Sequence, residues 1–296
     1  LGSLTGNRFV ITLRDCNPEN LSSRVEETTR QICQTGIPNY YGIQRFGALK
    51  PVTHRVGRHI LRGEYAEAVR MYVGEAFPQE SDAVKAARSA FSETGDAKTA
   101  LHDLPPTLSY ERILLDTLAK NPENFGKSLQ TLPPRLLSMF VSAYQSWLFN
   151  MALSRRCASG LALNEPAVGE HLVFTNDRID TVTEKNIQTA CQHMKRGRCA
   201  VAAWMPGSTL SVSSGPLEET MSDLMEEDHI TQESFAGASA FTGTNFDGAH
   251  RKIALATDVA SEIQDTNVVL TFMLPPGHYA TTVCREYMQV SPERMV

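Results

Sequence analysis

Asn7-Arg8-Phe9-Val10-Ile11-Thr12-Leu13-Arg14 sets the frame of the molecule. The stretch is β-branched and aromatic-rich, with Phe9, Ile11 and Leu13 on one side of a two-residue period, and it predicts a half-buried strand. Outward from it, residues 15–20 have turn chemistry. Val25, Thr28 or Thr29, and Ile32 then space as a helix that stops near Gly36-Ile37-Pro38. Strand character returns at the far end of the chain. Lys252-Ile253-Ala254-Leu255-Ala256 and Asn267-Val268-Val269-Leu270-Thr271-Phe272-Met273-Leu274 read as half-buried strands, and Pro275-Pro276-Gly277 ends the second run. A helix from about Tyr279 carries Val283, Arg285, Glu286 and Tyr287.

Between these ends the texture is helical. The clearest element starts at Pro133-Pro134, where Leu136, Leu137, Phe140, Val141, Tyr144, Trp147, Leu148 and Met151 recur at i, i+3, i+4, i+7 spacing. Because that stripe is continuous and apolar, its aromatics read as core, not as a platform for stacking bases. A mixed region follows over residues 169–206, then an acidic helix that turns Leu217, Met221, Leu224 and Met225 inward. A β-rich start, a helical middle and a β-rich end predict an α+β fold, with one domain (residues 1–62 and 250–296) interrupted by an insertion (residues 63–249).

The composition is that of a globular protein: 42% hydrophobic and 21% charged among 296 residues. Cys16, Cys33, Cys157, Cys191, Cys199 and Cys284 form no C-x-x-C pair, which predicts a reducing, cytoplasmic setting. No run of 18 apolar residues and no charged leader suggests a membrane span or a signal peptide. The chain opens at Leu1 directly in structured sequence, so we expect it to be part of a longer polypeptide.

A net charge of −5 argues against a surface coated with cations, so any RNA site must be local. Lys50 and the run to Arg62 offer one, with Arg55, Arg58 and Arg62 on one helical face. That face suits phosphates, and equally a solvated surface. Acidic charge gathers at Glu218, Glu219, Asp223, Glu226, Glu227, Asp228 and Glu233, and should face away from RNA.

Several chemistries find no support. Cys191, His193 and Cys199 lack paired spacing and a fourth ligand, so no metal is expected. The glycines match neither a dinucleotide fingerprint nor a P-loop, and no serine sits in a G-x-S-x-G elbow. What stands out is Pro38-Asn39-Tyr40-Tyr41-Gly42-Ile43-Gln44-Arg45-Phe46-Gly47. Amides can read the polar edge of a base, an aromatic face can stack on it, and arginine can pair with phosphate or carboxylate. A structural loop held by aromatic packing is the alternative.

This loop resembles the N-Y-[FY]-G-x-Q-R-F-G signature of the TruD family of pseudouridine synthases. Leu1-Gly2-Ser3-Leu4-Thr5-Gly6-Asn7-Arg8-Phe9 is similar to the family's L-G-x-L-x-G-N-x-F strand, and residues 274–286 to its L-P-x-G-x-[FY]-A-[TS]-x-[VL]-x-R-E segment. Residues 143–150 are similar to part of its insertion domain. The resemblance implies a mixed, mostly antiparallel sheet interrupted by a largely helical insertion that forms the other wall of an RNA cleft. It also implies isomerisation of uridine to pseudouridine, at uridine 13 of tRNA, with no cofactor, no metal and no obligate protein partner. By the same resemblance Asn39 positions the pocket, Tyr41 stacks on the uracil and Tyr279 forms a second aromatic wall. Gln44, Arg45 and Phe46 shape the loop, and Arg285 is a partner either of the nucleophilic aspartate or of Glu286. That aspartate lies in a G-x-K-D-[KR]-x-A-x-T-x-Q motif upstream of L-G-x-L-x-G-N. The motif does not occur in these 296 residues, and Asp15 has an unlike context. This chain alone is therefore expected to be inactive. The alternative is an RNA-binding derivative of the family that has lost catalysis.

Overall fold

The computed structural model describes residues 5–209 and 215–291. Its elements run β1 (Asn7–Leu13), α1 (Leu21–Thr35), β2 (Ile37–Pro38), a 3-10 turn (Ile43–Arg45), α2 (Thr53–Leu61), α3 (Tyr65–Gly74), α4 (Asp82–Thr94), α5 (Ala97–Asp103), α6 (Ser109–Lys120), α7 (Phe125–Gln130) and α8 (Pro134–Ala158). There follow β3 (His171–Phe174), β4 (Ile179–Thr181), α9 (Ile187–Lys195), β5 (Cys199–Met205), α10 (Pro216–Glu227), α11 (Gln232–Thr242), β6 (Ala249–Lys252), β7 (Ala254–Leu255), β8 (Val259–Gln264), β9 (Asn267–Leu274) and α12 (Ala280–Met288). Leu1 to Leu4 of the N-terminal motif, and residues 210–214 and 292–296, lie outside the described residues.

The two ends of the chain meet in one sheet. β1 runs antiparallel to β9, from Asn7 opposite Leu274 to Leu13 opposite Val268, and β8 flanks β9 on its other side. The alternation read in both strands puts Leu13, Val268, Leu270, Phe272 and Leu274 on the buried face, where Val25 and Ile32 of α1 and Val283 of α12 cover them. Gly36 ends α1 with φ +71°, donating its N–H to Ile32 O at 2.9 Å. The chain then pairs β2 with β7, Ile37 opposite Leu255, and this short ladder delivers the next residues to the site.

A second core surrounds α8 and runs from Val52 to Ile253. It includes α2, whose Val56, Ile60 and Leu61 are buried. The expected division at residue 62 thus falls after a helix that packs with the helical body. Gly57 makes that packing close, since a Cβ there would drive into the carbonyl oxygen of Phe140.

The structure departs from the sequence reading in three places. The strand expected over residues 252–256 is two: β6 closes the sheet β4-β3-β5-β6 and β7 pairs elsewhere, with buried Ile253 between them. The mixed region of residues 169–206 supplies β3, β4 and β5 of that sheet. β8 has no apolar alternation because it is an edge strand whose one buried residue is Val259. Every strand pairing among the described residues is antiparallel, within an α+β architecture.

Candidate active site

The loop at residues 38–47 crosses from the terminal sheet to the helical body and is fastened at both ends. Asn39 is 1% exposed. Its backbone N–H donates to Ile253 O at 2.8 Å, its Nδ2 donates to Lys252 O at 2.7 Å, and its Oδ1 accepts from Arg251 Nη2 at 2.9 Å. Both ends of the amide are engaged with the protein.

Tyr41 is held by α8. Its backbone N–H donates to Asn150 Oδ1 at 2.9 Å while Asn150 Nδ2 returns a bond to Tyr41 O at 3.0 Å. Four residues earlier on the helix, Ser146 Oγ accepts from Arg45 Nε at 3.1 Å. The ring of Tyr41 is edge-on to Phe149 at 5.8 Å and to Tyr279 at 6.0 Å, and its hydroxyl donates to Met205 Sδ at 3.1 Å. Gly42 has ordinary φ; it is small because a Cβ there would lie 2.8 Å from the Tyr279 ring.

Arg251, on β6, escaped the sequence reading. Its guanidinium lies over Tyr41, 3.9 Å from the ring centroid, and bonds Asn39 O at 3.1 Å and Gly277 O at 3.3 Å. Burial depresses its pKa, with the Tyr41 and Tyr279 phenols opposing. The only sequence signal was a cation at the start of a strand, which nothing local distinguishes from other surface arginines.

The remaining expected residues fall around this centre. Gln44 Oε1 accepts from Thr281 Oγ1 at 3.2 Å, tying the loop to α12. Phe46 turns away and packs edge-on against His54. Arg285 lies over the ring of Tyr40 at 5.3 Å and forms no ion pair with Glu286 among the described residues; its charge tempers the rise in the Glu286 pKa that burial causes.

The cations expected on phosphates each meet a carboxylate while keeping part of the side chain exposed. Lys50 meets Glu80 at 2.8 Å, Arg55 meets Glu75 at 2.5 Å, Arg58 meets Asp228 at 3.1 Å and Arg62 meets Glu64 at 2.7 Å. The acidic helix does not turn away from this face, because Asp228 at its end is the partner of Arg58. Glu218, expected on an acidic surface, is buried and accepts from Trp204 N–H at 2.8 Å; burial first, then its carboxylate neighbours, raises its pKa to about 7.

The centre is thus a set of aromatic faces at the seam of two cores, with the guanidinium of Arg251 stacked on Tyr41 and that of Arg45 5.8 Å from the same ring centroid. It can hold a planar heterocycle and favour negative charge upon it. Among the described residues, no group of three or more histidines, cysteines or carboxylates is placed to hold a metal, and no helix is long and apolar enough to cross a membrane.

The family model of tRNA pseudouridine synthase D (TruD) matches residues 1–287. The chain is 36% identical to the probable tRNA pseudouridine synthase D of Methanosarcina acetivorans, over all of this chain and 70% of that protein, and 38% identical to that of Methanococcoides burtonii, over all of this chain and 71% of that protein. A crystal structure named for tRNA pseudouridine synthase D from Methanosarcina mazei superposes with a TM-score of 0.89 at 35% identity, covering all of this chain and 71% of that one. Fold, motifs and matches together define a pseudouridine synthase, an isomerase by class. Within that class the chain belongs to the tRNA pseudouridine synthase D (TruD) family.

Proposed function

We propose that the protein isomerises uridine 13 of tRNA to pseudouridine, with the extruded uracil stacked on Tyr41 and walled by Tyr279. The observation that carries this reading is the fixing of Tyr41, whose backbone is clasped by Asn150 and whose ring is packed by Arg251, Phe149 and Tyr279. On this reading the base stacks on the face of the ring that Arg251 does not cover, with the Arg45 guanidinium 5.8 Å from the same centroid. Asn39, Gln44, Arg45 and Phe46 hold the loop in place. The target nucleotide must leave its RNA stack to reach the ring.

The reaction breaks an N-glycosidic bond, turns the base and forms a C-glycosidic bond, so it needs a carboxylate at the sugar and a pocket that retains the free base. The aspartate motif of the family is not found in residues 1–296, and these residues span about 70% of the M. acetivorans relative. We assign the nucleophile to sequence outside them. Residues 1–296 alone should then release no tritium from 5-tritiated uridine in tRNA, whereas a polypeptide extended to include the motif does; turnover by residues 1–296 would overturn that assignment.

The stacking role is tested in the extended enzyme. Tyr41→Phe keeps the ring face and should turn over near the wild-type rate. Tyr41→Ala should forfeit roughly 1–3 kcal/mol of stacking, seen in single-turnover rate more than in tRNA affinity. Wild-type turnover by Tyr41→Ala would sink the role.

A further inference from the structure

Among the described residues, Arg251 forms no ion pair with a carboxylate. The two most buried arginines, Arg88 and Arg156, each meet one or more carboxylates: Arg88 bonds Glu80 and Glu111, and Arg156 bonds Glu170. Arg251 bonds Asn39 and Gly277 carbonyl oxygens and the Asn39 side chain, and the charged or ionisable groups acting on it include Tyr41, Tyr279, Arg45 and His278. Arg251 is half-buried, and a guanidinium held there on carbonyl oxygens keeps its charge available to the ring it lies over. Its position is equally specific: 3.9 Å from the Tyr41 centroid and 5.4 Å from that of Phe149, on the ring that is proposed to receive the base.

We propose that Arg251 acts through the ring of Tyr41 as the electrostatic partner of the negative charge that develops on the detached uracil, and that Asn39 exists to aim it. The inference rests on the proposed function. When the C1′–N1 bond breaks, its electron pair stays on N1 and uracil departs as an anion shared by N1, O2 and O4, while the enzyme's carboxylate takes up the electron deficit at C1′. C5 then bonds C1′ as the carboxylate departs, the C5 proton is lost to solvent, and N1 regains a proton, so atoms and charge balance over the isomerisation. Between those steps the base is a monoanion stacked on Tyr41, with the guanidinium on the far face of the same ring. The separation is about 7–8 Å, one stacking distance beyond the guanidinium. At that range a unit cation in a protein interior favours a unit anion enough to change a rate roughly tenfold to a hundredfold. The uridine ground state is neutral and gains little, so the effect falls on the chemical step. Arg251 is accordingly a positioning residue that never touches substrate.

The experiment uses the extended enzyme and two substitutions, Arg251→Gln, which removes the charge, and Arg251→Lys, which keeps a cation but not the fork on Asn39. Single-turnover rates are measured on tRNA containing uridine and on tRNA containing 5-fluorouridine, whose base departs more readily as an anion; the rearranged nucleoside is read by nuclease digestion and chromatography. Arg251→Gln should slow uridine roughly tenfold to a hundredfold and 5-fluorouridine clearly less, with tRNA affinity little changed, and Arg251→Lys should lie between. If Arg251→Gln does not fold, Arg251→Lys against wild type still reads the same dependence on the leaving group. Equal losses on both substrates, in whichever variants fold, would mean that Arg251 only holds the loop. An extended enzyme that forms no pseudouridine in tRNA would instead sink the functional reading, and this inference with it.

Discussion

Asn150 shows how much of the site depends on one amide. It both accepts from and donates to the backbone of Tyr41, so its removal orphans an N–H and a carbonyl at once. Asn150→Ala should cost roughly 1–3 kcal/mol for those unpaired groups, measured by urea denaturation, and should lower turnover with it. A variant of wild-type stability would show that water replaces the amide. In the sequence Asn150 was hidden inside an apolar stripe, although Ser146 and Asn150 form a polar i, i+4 pair on that helix, and such a pair is the local mark of a helix face that must hold something polar. The aromatic and amide content of residues 39–47 was legible because loops seldom carry it. Arg251 was not, because its meaning comes from a neighbour about 210 residues earlier in the chain.

At the scale of elements, α2 and α8 are joined by both shape and charge. Gly57→Ala would push a methyl group onto the Phe140 carbonyl, and the helices must then separate. We expect a loss of roughly 1–3 kcal/mol, with a lower denaturation midpoint. Arg58 fixes the other side of the pair, since Asp228 takes both its guanidinium and the Tyr144 hydroxyl at 2.8 Å. Arg58→Ala should therefore lower the melting temperature and leave the salt dependence of tRNA binding unchanged; a slope reduced by about one unit would restore a phosphate-binding role. The spacing of Arg55, Arg58 and Arg62 reads as one helical face, and in the structure α2 runs Thr53–Leu61 with Arg62 as its C-cap. What the spacing could not reveal was that Glu64, Glu75 and Asp228 lie opposite it, because those contacts depend on tertiary packing.

For the molecule as a whole, two buried groups set opposite limits on pH. His54, between Phe46 and Trp147, has its pKa lowered from 6.5 to about 4 by burial and then by Arg55 and Arg58. Its contribution is complete above pH 6.5 and is lost as pH falls toward 4, where the unfolded chain binds the proton more readily. Glu218 has its pKa raised from 4.5 to about 7, so its contribution is complete below 4.5 and is lost as pH rises through 7. Glu218→Gln should then stabilise the protein at pH 8 relative to wild type far more than at pH 5, read as melting temperature; equal shifts at both values would show that the carboxyl is not the titrating group. The α+β frame itself was visible because strand alternation survives wherever one face of a sheet is wet. The sheet of β3 to β6 was obscured because its strands are short and, at Ala202 and Ala203 of β5, buried on both faces.

The pairing of β1 with β9 also governs how the protein is made. A ribosome adds roughly 5–20 residues each second, so β1 emerges roughly ten to fifty seconds before the strand that completes it. During that interval the helical body can assemble around α8, while β1 waits with its hydrogen-bonding edge exposed. A nascent chain arrested with β6 outside the exit tunnel but β9 not yet translated should resist protease across α8 and be cut within β1, and release of arrest should protect both. Chaperone dependence should be concentrated in that same interval, which a longer helical insertion would extend and a circular permutation placing β9 before β1 would abolish.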